Sequence, residues 1–198
     1  MKLSRKFYSR NPKIVAKELL GKTLVHKTKD GICKGKIVET EAYLGKNDPG
    51  SIGCRNIKKL PKVLLGPQGH AFVYFTYGNH WMFNVIATEK IGFPGAVLIR
   101  ALEPLEGIEL MKKRRMKDDI KNLTNGPGKL TKAFGIDKRH HELDMTNGNL
   151  FIENSSGDFK IVRTTRIGLS AGEELPLRFY IKDNEFVSKK RGNGRGEI

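Results

Sequence analysis

Two glutamates and a tyrosine, spaced two apart in IVETEAYLG (residues 37–45), offer the clearest chemistry in this sequence. On a strand, Glu39, Glu41 and Tyr43 share one face, and Val38, Thr40 and Ala42 share the other. Residues i and i+2 lie about 7 Å apart on a strand. That is close to the roughly 6.5–9.5 Å at which two carboxylates hold a water beside a glycosidic carbon. Like charges this near also couple, so one carboxyl can stay protonated while the other ionises. The same spacing equally describes a plain solvated strand face, so the pair acquires meaning only from its company.

That company is suggestive. In AVLIRAL (96–102) a lone arginine, Arg100, sits in an apolar strand pattern and shares a face with Leu98. Such a cation must reach solvent or a carboxylate, and Glu39 or Glu41 is the natural partner. A structural salt bridge would satisfy it as well as a catalytic one. Between residues 71 and 87 lie Phe72, Tyr74, Phe75, Tyr77, Trp81 and Phe83, in two strand-like runs split by Gly78-Asn79. The pair reads as a hairpin turn. Tyr77 falls at its tip, where an aromatic cannot easily reach a core and is placed to wedge between or stack on bases. Phe75, Trp81 and Phe83 read instead as a packed ladder across the hairpin. GPGKL (126–130) opens a short helix in the manner of a weak anion site, with Lys129 adding a charge. The five His and two Cys show no metal-ligand spacing, and His140-His141 reads as part of a solvated loop.

The elements that must position these residues follow from pattern. Asn11 caps and Pro12 opens a helix with an apolar stripe of Ile14, Val15, Leu19 and Leu20, ended by Gly21. Strands are predicted at 24–27, 37–44, 71–77, 80–87 and 95–102, with shorter ones near 149–153, 159–163 and 177–182. The segment EPLEGIELMKKRRM (103–116) reads as a helix from its acidic start and basic end. The Gly- and Pro-rich stretch 45–69 is too long for a plain connection. The tail 189–198 is basic, Gly-rich and expected to be mobile. Strands outnumber helices and rarely alternate with them, so the class is α+β. The expectation is one domain over 1–198: a mixed, mostly antiparallel curved sheet with a protruding β-hairpin and flanking helices.

Composition narrows the partner. The 198 residues carry 37 Lys+Arg against 21 Asp+Glu, a formal net charge of +16. With 38% hydrophobic residues the chain is no disordered basic tail, and a basic folded domain most often faces a nucleic acid. No apolar run approaches a membrane span. No signal-peptide pattern stands at the start, and Cys33 and Cys54 cannot form a disulfide framework, so a reducing cytoplasm is expected.

Five segments, VETEAYLG (38–45), HAFVYFTYGNHWMFNV (70–85), AVLIRALEPLEG (96–107), NGPGKLTKAFGI (125–136) and PLRFYI (176–181), together resemble the alkyladenine (3-methyladenine) DNA glycosylase family. The resemblance implies a single-domain, monomeric enzyme that needs no metal or cofactor. It implies excision of alkylated or deaminated purines from double-stranded DNA by base flipping, leaving an abasic site. Glu41 matches the family's general base and Arg100 the arginine that helps hold the attacking water. Tyr43 and Tyr74 match aromatics stacked on the flipped base, Asn84 the residue that screens out guanine, and Leu98 a lining residue. Tyr77 matches the intercalating side chain, while Glu39 matches a glutamate that is not the catalytic one. Ile52 stands where the family usually has a histidine wall, which puts the substrate range in question. The competing readings are a non-catalytic nucleic-acid-binding module, which leaves Glu39 and Glu41 unexplained, and a sugar glycosidase, which leaves the charge unexplained.

Overall fold

The computed structural model describes residues 1–54, 57–76 and 78–188. Tyr77 and the tail 189–198 therefore lie outside the described residues. The elements run α1 (Arg5–Tyr8), α2 (Pro12–Leu19), β1 (Thr23–Thr28), β2 (Gly31–Tyr43), β3 (Ala71–Thr76), β4 (His80–Ile86), β5 (Ala96–Glu106), α3 (Ile108–Arg115), α4 (Pro127–Phe134), β6 (Leu150–Glu153), β7 (Ile161–Thr164) and β8 (Arg178–Ile181). The strands form one curled sheet of order β3-β4-β5-β2-β1-β6, with β8 joined to β2 and β7. The expected α+β class holds. Each described strand pairing is antiparallel, in keeping with the mostly antiparallel curved sheet expected.

Strand β2 organises the sheet. Its first half, Gly31–Lys36, pairs with β1, and Glu39–Glu41 pair with β8 instead. The change of partner comes at Ile37–Thr40, where the register with β5 also slips twice. Glu39 faces Ala101 and Thr40 faces Ile99, so Arg100 is the extra residue of a bulge. A bulge re-aims side chains and often marks a functional site. Arg100 keeps the face it shares with Leu98, and its guanidinium lies 3.1 Å from both Glu39 and Glu41.

The two faces of the sheet bury different things. On one, Ala42, Val97, Ile99, Phe83 and Val85 pack with α2 and α4 in the main core. Thr40 donates its hydroxyl to the Ala16 carbonyl of α2 at 2.8 Å, which anchors that helix. The Asn11 side chain caps α2 through the Lys13 amide, as its sequence suggests. Ile14 departs from the expected stripe and points outward, 48% exposed, because the buried face turns on Val15, Ala16 and Leu19. On the other face a small apolar cluster of Val63, Leu64, Phe72, Ile86 and Ala96 sits beneath the long loop.

Two further expectations fail for physical reasons. Residues 103–106 extend β5, and the helix begins only at Ile108. Glu103 and Glu106 serve as cross-strand partners of Lys36 and Lys34 at 2.7 and 2.8 Å, not as a helix's acidic first turn. Gly107, at φ 79°, makes the turn between strand and helix that a side chain would resist. His140 is not in a solvated loop. It is buried, and its Nε2 lies 3.2 Å from Nε2 of His26, whose Nδ1 is 2.7 Å from the Phe134 carbonyl.

A carbonyl only accepts, so His26 carries its proton on Nδ1. His140 then donates from Nε2 and accepts the Asp137 amide at Nδ1 (3.1 Å). When neutral, each ring has a partner at both nitrogens. Burial, the largest cause, pulls His26 down from 6.5 to about 4. Between these values the unfolded chain binds more protons than the folded one, so stability rises with pH. Lowering the pH from 7 to 4 should cost roughly 3 kcal/mol through this residue. Urea unfolding at several pH values, wild type against His26→Leu, measures it; an unchanged slope in the variant would show that the pair plays no part.

Candidate active site

The bulge gathers four charged side chains in one buried patch. Glu39 and Glu41 are fully buried, with Arg100 and Arg178 7% and 2% exposed. Glu39 Oε1 accepts from Arg178 Nε at 2.6 Å, Ser188 Oγ at 2.9 Å and Arg100 Nε at 3.1 Å, and Oε2 accepts the Ser188 amide at 2.7 Å. Glu41 Oε1 accepts from the Ile167 amide at 2.9 Å and lies 3.1 Å from Arg100 Nη1 in an ion pair, and Oε2 accepts from the Tyr43 hydroxyl at 2.9 Å. A carboxylate offers about four lone-pair directions, two on each oxygen. Among the described residues, Glu39 accepts four hydrogen bonds, two of them from arginines. Glu41 accepts two, one on each oxygen, and is the less committed carboxylate.

Electrostatics hold this arrangement in one state. Burial opposes the charge on Arg100, but Glu41 and then Glu39 outweigh it and keep the guanidinium protonated above its ordinary value. Burial, then the charge of Glu41, pushes the Tyr43 phenol far up, so it remains a donor to Glu41. The lone arginine of the β5 pattern thus bridges both candidate carboxylates.

A row of paired residues crosses the strands from Glu41 to the aromatics. Phe72, Asn84, Leu98, Glu41 and Arg178 are successive register partners on β3, β4, β5, β2 and β8, so their side chains share a face. Over the same face opens a cavity of about 300 Å³ bordered by Tyr43, Phe72, Tyr74, Asn84 and Ala96 from the strands, and by Ser51, Ile52, Leu64 and Leu169 from loops. This lies at the lower end of ordinary ligand pockets, about 300–1,000 Å³. Tyr74 stacks on Phe72 with ring centres 5.0 Å apart and is 39% exposed. The Asn84 amide donates to the Phe72 carbonyl at 3.1 Å, which fixes its orientation. Leu98 is buried between Asn84 and Glu41 and does not border the cavity, contrary to the lining role expected of it.

The hairpin is docked on α4. Thr131 donates to the Trp81 carbonyl at 3.0 Å, and Gly128 lies so close to the His80 ring that a Cβ there would meet it at 2.7 Å. Phe75 and Trp81 pair across the hairpin with ring centres 4.9 Å apart, and Phe83 is buried, as the ladder reading expects. Lys129 bonds Asn125 Oδ1 at 2.6 Å near the start of α4. Tyr77 has no described position.

Sequence reasoning missed several participants. Arg178 obeys the rule that singled out Arg100, a lone arginine in an apolar strand, RFYI, and could have been found by it. Asp48 shows its local role in Asp48-Pro49-Gly50, where its side chain accepts the Gly50 amide. Its bidentate partner Arg166, both contacts 2.6 Å, stands 118 positions away and left no local sign. Among the described residues no group of three His, Cys, Asp or Glu side chains is arranged for a metal ion. No described helix is long and apolar enough to cross a membrane.

A buried carboxylate with acceptor capacity to spare beside an aromatic cavity, on so basic a chain, is the equipment of an enzyme that cleaves base–sugar bonds in nucleic acid. Residues 6–185 match the model of the family described as methylpurine-DNA glycosylase. A relative from Carboxydothermus hydrogenoformans, provisionally named a 3-methyladenine DNA glycosylase, is 48% identical over 96% of this chain and all of its own length. Similarly named relatives from Clostridium acetobutylicum and Clostridium tetani are 46% and 48% identical, covering 95% and 96% of this chain and 98% and 100% of their own. The chain belongs to the methylpurine-DNA glycosylase family, and with it to the hydrolases of DNA repair.

The two glutamates should separate by experiment. Glu39→Gln leaves buried arginines short of a counter-charge and should lower stability by about 3–5 kcal/mol. Glu41→Gln should cost clearly less, because Arg100 keeps Glu39. Equal losses in urea unfolding would remove the distinction between anchor and reactive group.

Proposed function

We propose that this glycosylase removes alkylated and deaminated purines from duplex DNA, with Glu41 as the general base on water. The observation that carries the assignment is the difference in commitment: Glu39 is tied by four hydrogen bonds, while Glu41 accepts two and is joined to the cavity through Tyr43. A base must leave the helix to be reached, which costs a few kcal/mol and least at a damaged pair. The flipped purine would enter the cavity between Tyr43 and Tyr74, whose electron-rich rings favour an alkylated, positively charged base. Asn84, its amide hydrogen committed to Phe72, would check the base edge and exclude guanine. Leu98 would serve as apolar floor between that check and Glu41, not as part of the wall. Ile52 would form an apolar wall.

At the sugar, Glu41 takes a proton from water as the N-glycosidic bond breaks, and its charge stabilises the oxocarbenium-like centre. Arg100 orients the carboxylate and helps hold the water. Tyr77 would fill the gap left in the duplex, and Lys129 would contact a backbone phosphate, one of many such contacts in a chain of +16. The enzyme would act as a monomer, in the cytoplasm and associated with DNA. A sugar glycosidase needs a second working carboxylate, and Glu39 is committed to Arg100, Arg178 and Ser188.

Release of free base from duplexes carrying 3-methyladenine, 7-methylguanine, hypoxanthine or ethenoadenine tests the reading. Glu41→Gln should keep lesion binding and lose excision by about 100-fold or more; normal turnover would refute its role. The product should be an unbroken strand with an abasic site, so nicking before alkali treatment would contradict simple hydrolysis. Tyr77→Ala should weaken binding to lesion duplex much more than to single strands. Equal loss on both would argue against intercalation.

A further inference from the structure

Arg166 holds a full charge with its side chain wholly out of water, and nothing in the excision scheme uses it. Besides its two contacts with Asp48, Nη1 donates to the Ala42 carbonyl at 3.0 Å and Nη2 to the Gly172 carbonyl at 3.1 Å. The room is tight: a Cβ on Gly50 would come within 2.6 Å of Nη2. So held, the guanidinium lies over the Tyr43 ring, 4.8 Å from its centre. Tyr43 therefore meets an anion, Glu41, at its hydroxyl and a cation on its ring, and the same ring borders the cavity. The following residue, Ile167, donates its amide to Glu41.

An aromatic ring attracts a cation through the negative potential of its face. A cation already on the ring draws on that potential and repels a second one, strongly where water is excluded. We propose that Arg166 is a positioning residue that sets the charge selectivity of the cavity. By stacking on Tyr43 it weakens the ring's attraction for a positively charged base and lets neutral damaged purines compete. The proposal rests on reading the cavity as the base pocket. A mere structural pin would hold Tyr43 without changing which base it prefers.

Arg166→Gln alone would leave Asp48 buried without its counter-charge, so the informative variant is the double change Asp48→Asn with Arg166→Gln. It removes both charges and keeps an amide pair. Arg166→Lys keeps the charge and serves as control. Single-turnover release of 7-methylguanine, positively charged in DNA, is compared with that of neutral hypoxanthine. The double variant should raise the 7-methylguanine to hypoxanthine rate ratio by about threefold or more, and Arg166→Lys should stay within about twofold of wild type. A second readout needs no catalysis: NMR titration with 7,9-dimethyladeninium and with 9-methyladenine should show the same shift in relative affinity. Unchanged ratios in the double variant, with both rates or both affinities falling together, would overturn the proposal. Should no variant and no wild-type protein release base, the excision reading fails, and the two affinities still decide for or against Arg166.

Discussion

Two carboxylates and two guanidinium groups share one patch of the sheet with almost no access to water. Each ion removed from water costs several kcal/mol even after relaxation, so the group persists only while the partners stay paired. That demand shapes the centre of the molecule. It goes with the bulge at Arg100, the exchange of β1 for β8 along β2, and the return of the chain at Ser188 to close on Glu39. The charges sum to zero within the patch, which is why a protein of large positive charge can keep two glutamates buried side by side.

The cluster also divides labour between residues of one type. Glu39 accepts four hydrogen bonds and serves as anchor, while Glu41 accepts two beside its ion pair with Arg100. A proposed base needs a carboxylate that is held still yet not fully committed, and the heavily bonded neighbour, through the shared Arg100, supplies the stillness. The second buried pair, Asp48 with Arg166, does for the aromatic wall what Glu39 does for the carboxylate: it ties the loop after β2 to the strand it leaves. Both devices set fixed charge around the cavity.

Much of the scaffold was legible locally. Alternation placed most strands, Asn11-Pro12 marked the start of α2, and Gly78-Asn79 marked the hairpin. Errors came where a tertiary partner overrode a local cue. Glu103 and Glu106 look like a helix start and instead face lysines across β2. His140 looks like loop and instead meets His26 from 114 positions away. Ile14 fits a helical stripe by spacing, but the rotation of α2 on the sheet leaves it outside.

The sequence by itself determined the chemical inventory: a basic chain, glutamates at i and i+2, a lone arginine in an apolar strand, and aromatics crowded on one hairpin. It also determined the family, because those motifs recur in order along the chain. What it left open was which glutamate is free to react and what stands behind Tyr43. Those depended on donors from Ile167, Arg178, Ser188 and Arg166, all 118 or more positions along the chain from the residues they hold. Contacts at such separation leave no periodic trace, since they are set by the path of the sheet and not by neighbouring residues. Only the tertiary structure decided that Glu39 is tied by four hydrogen bonds where Glu41 accepts two.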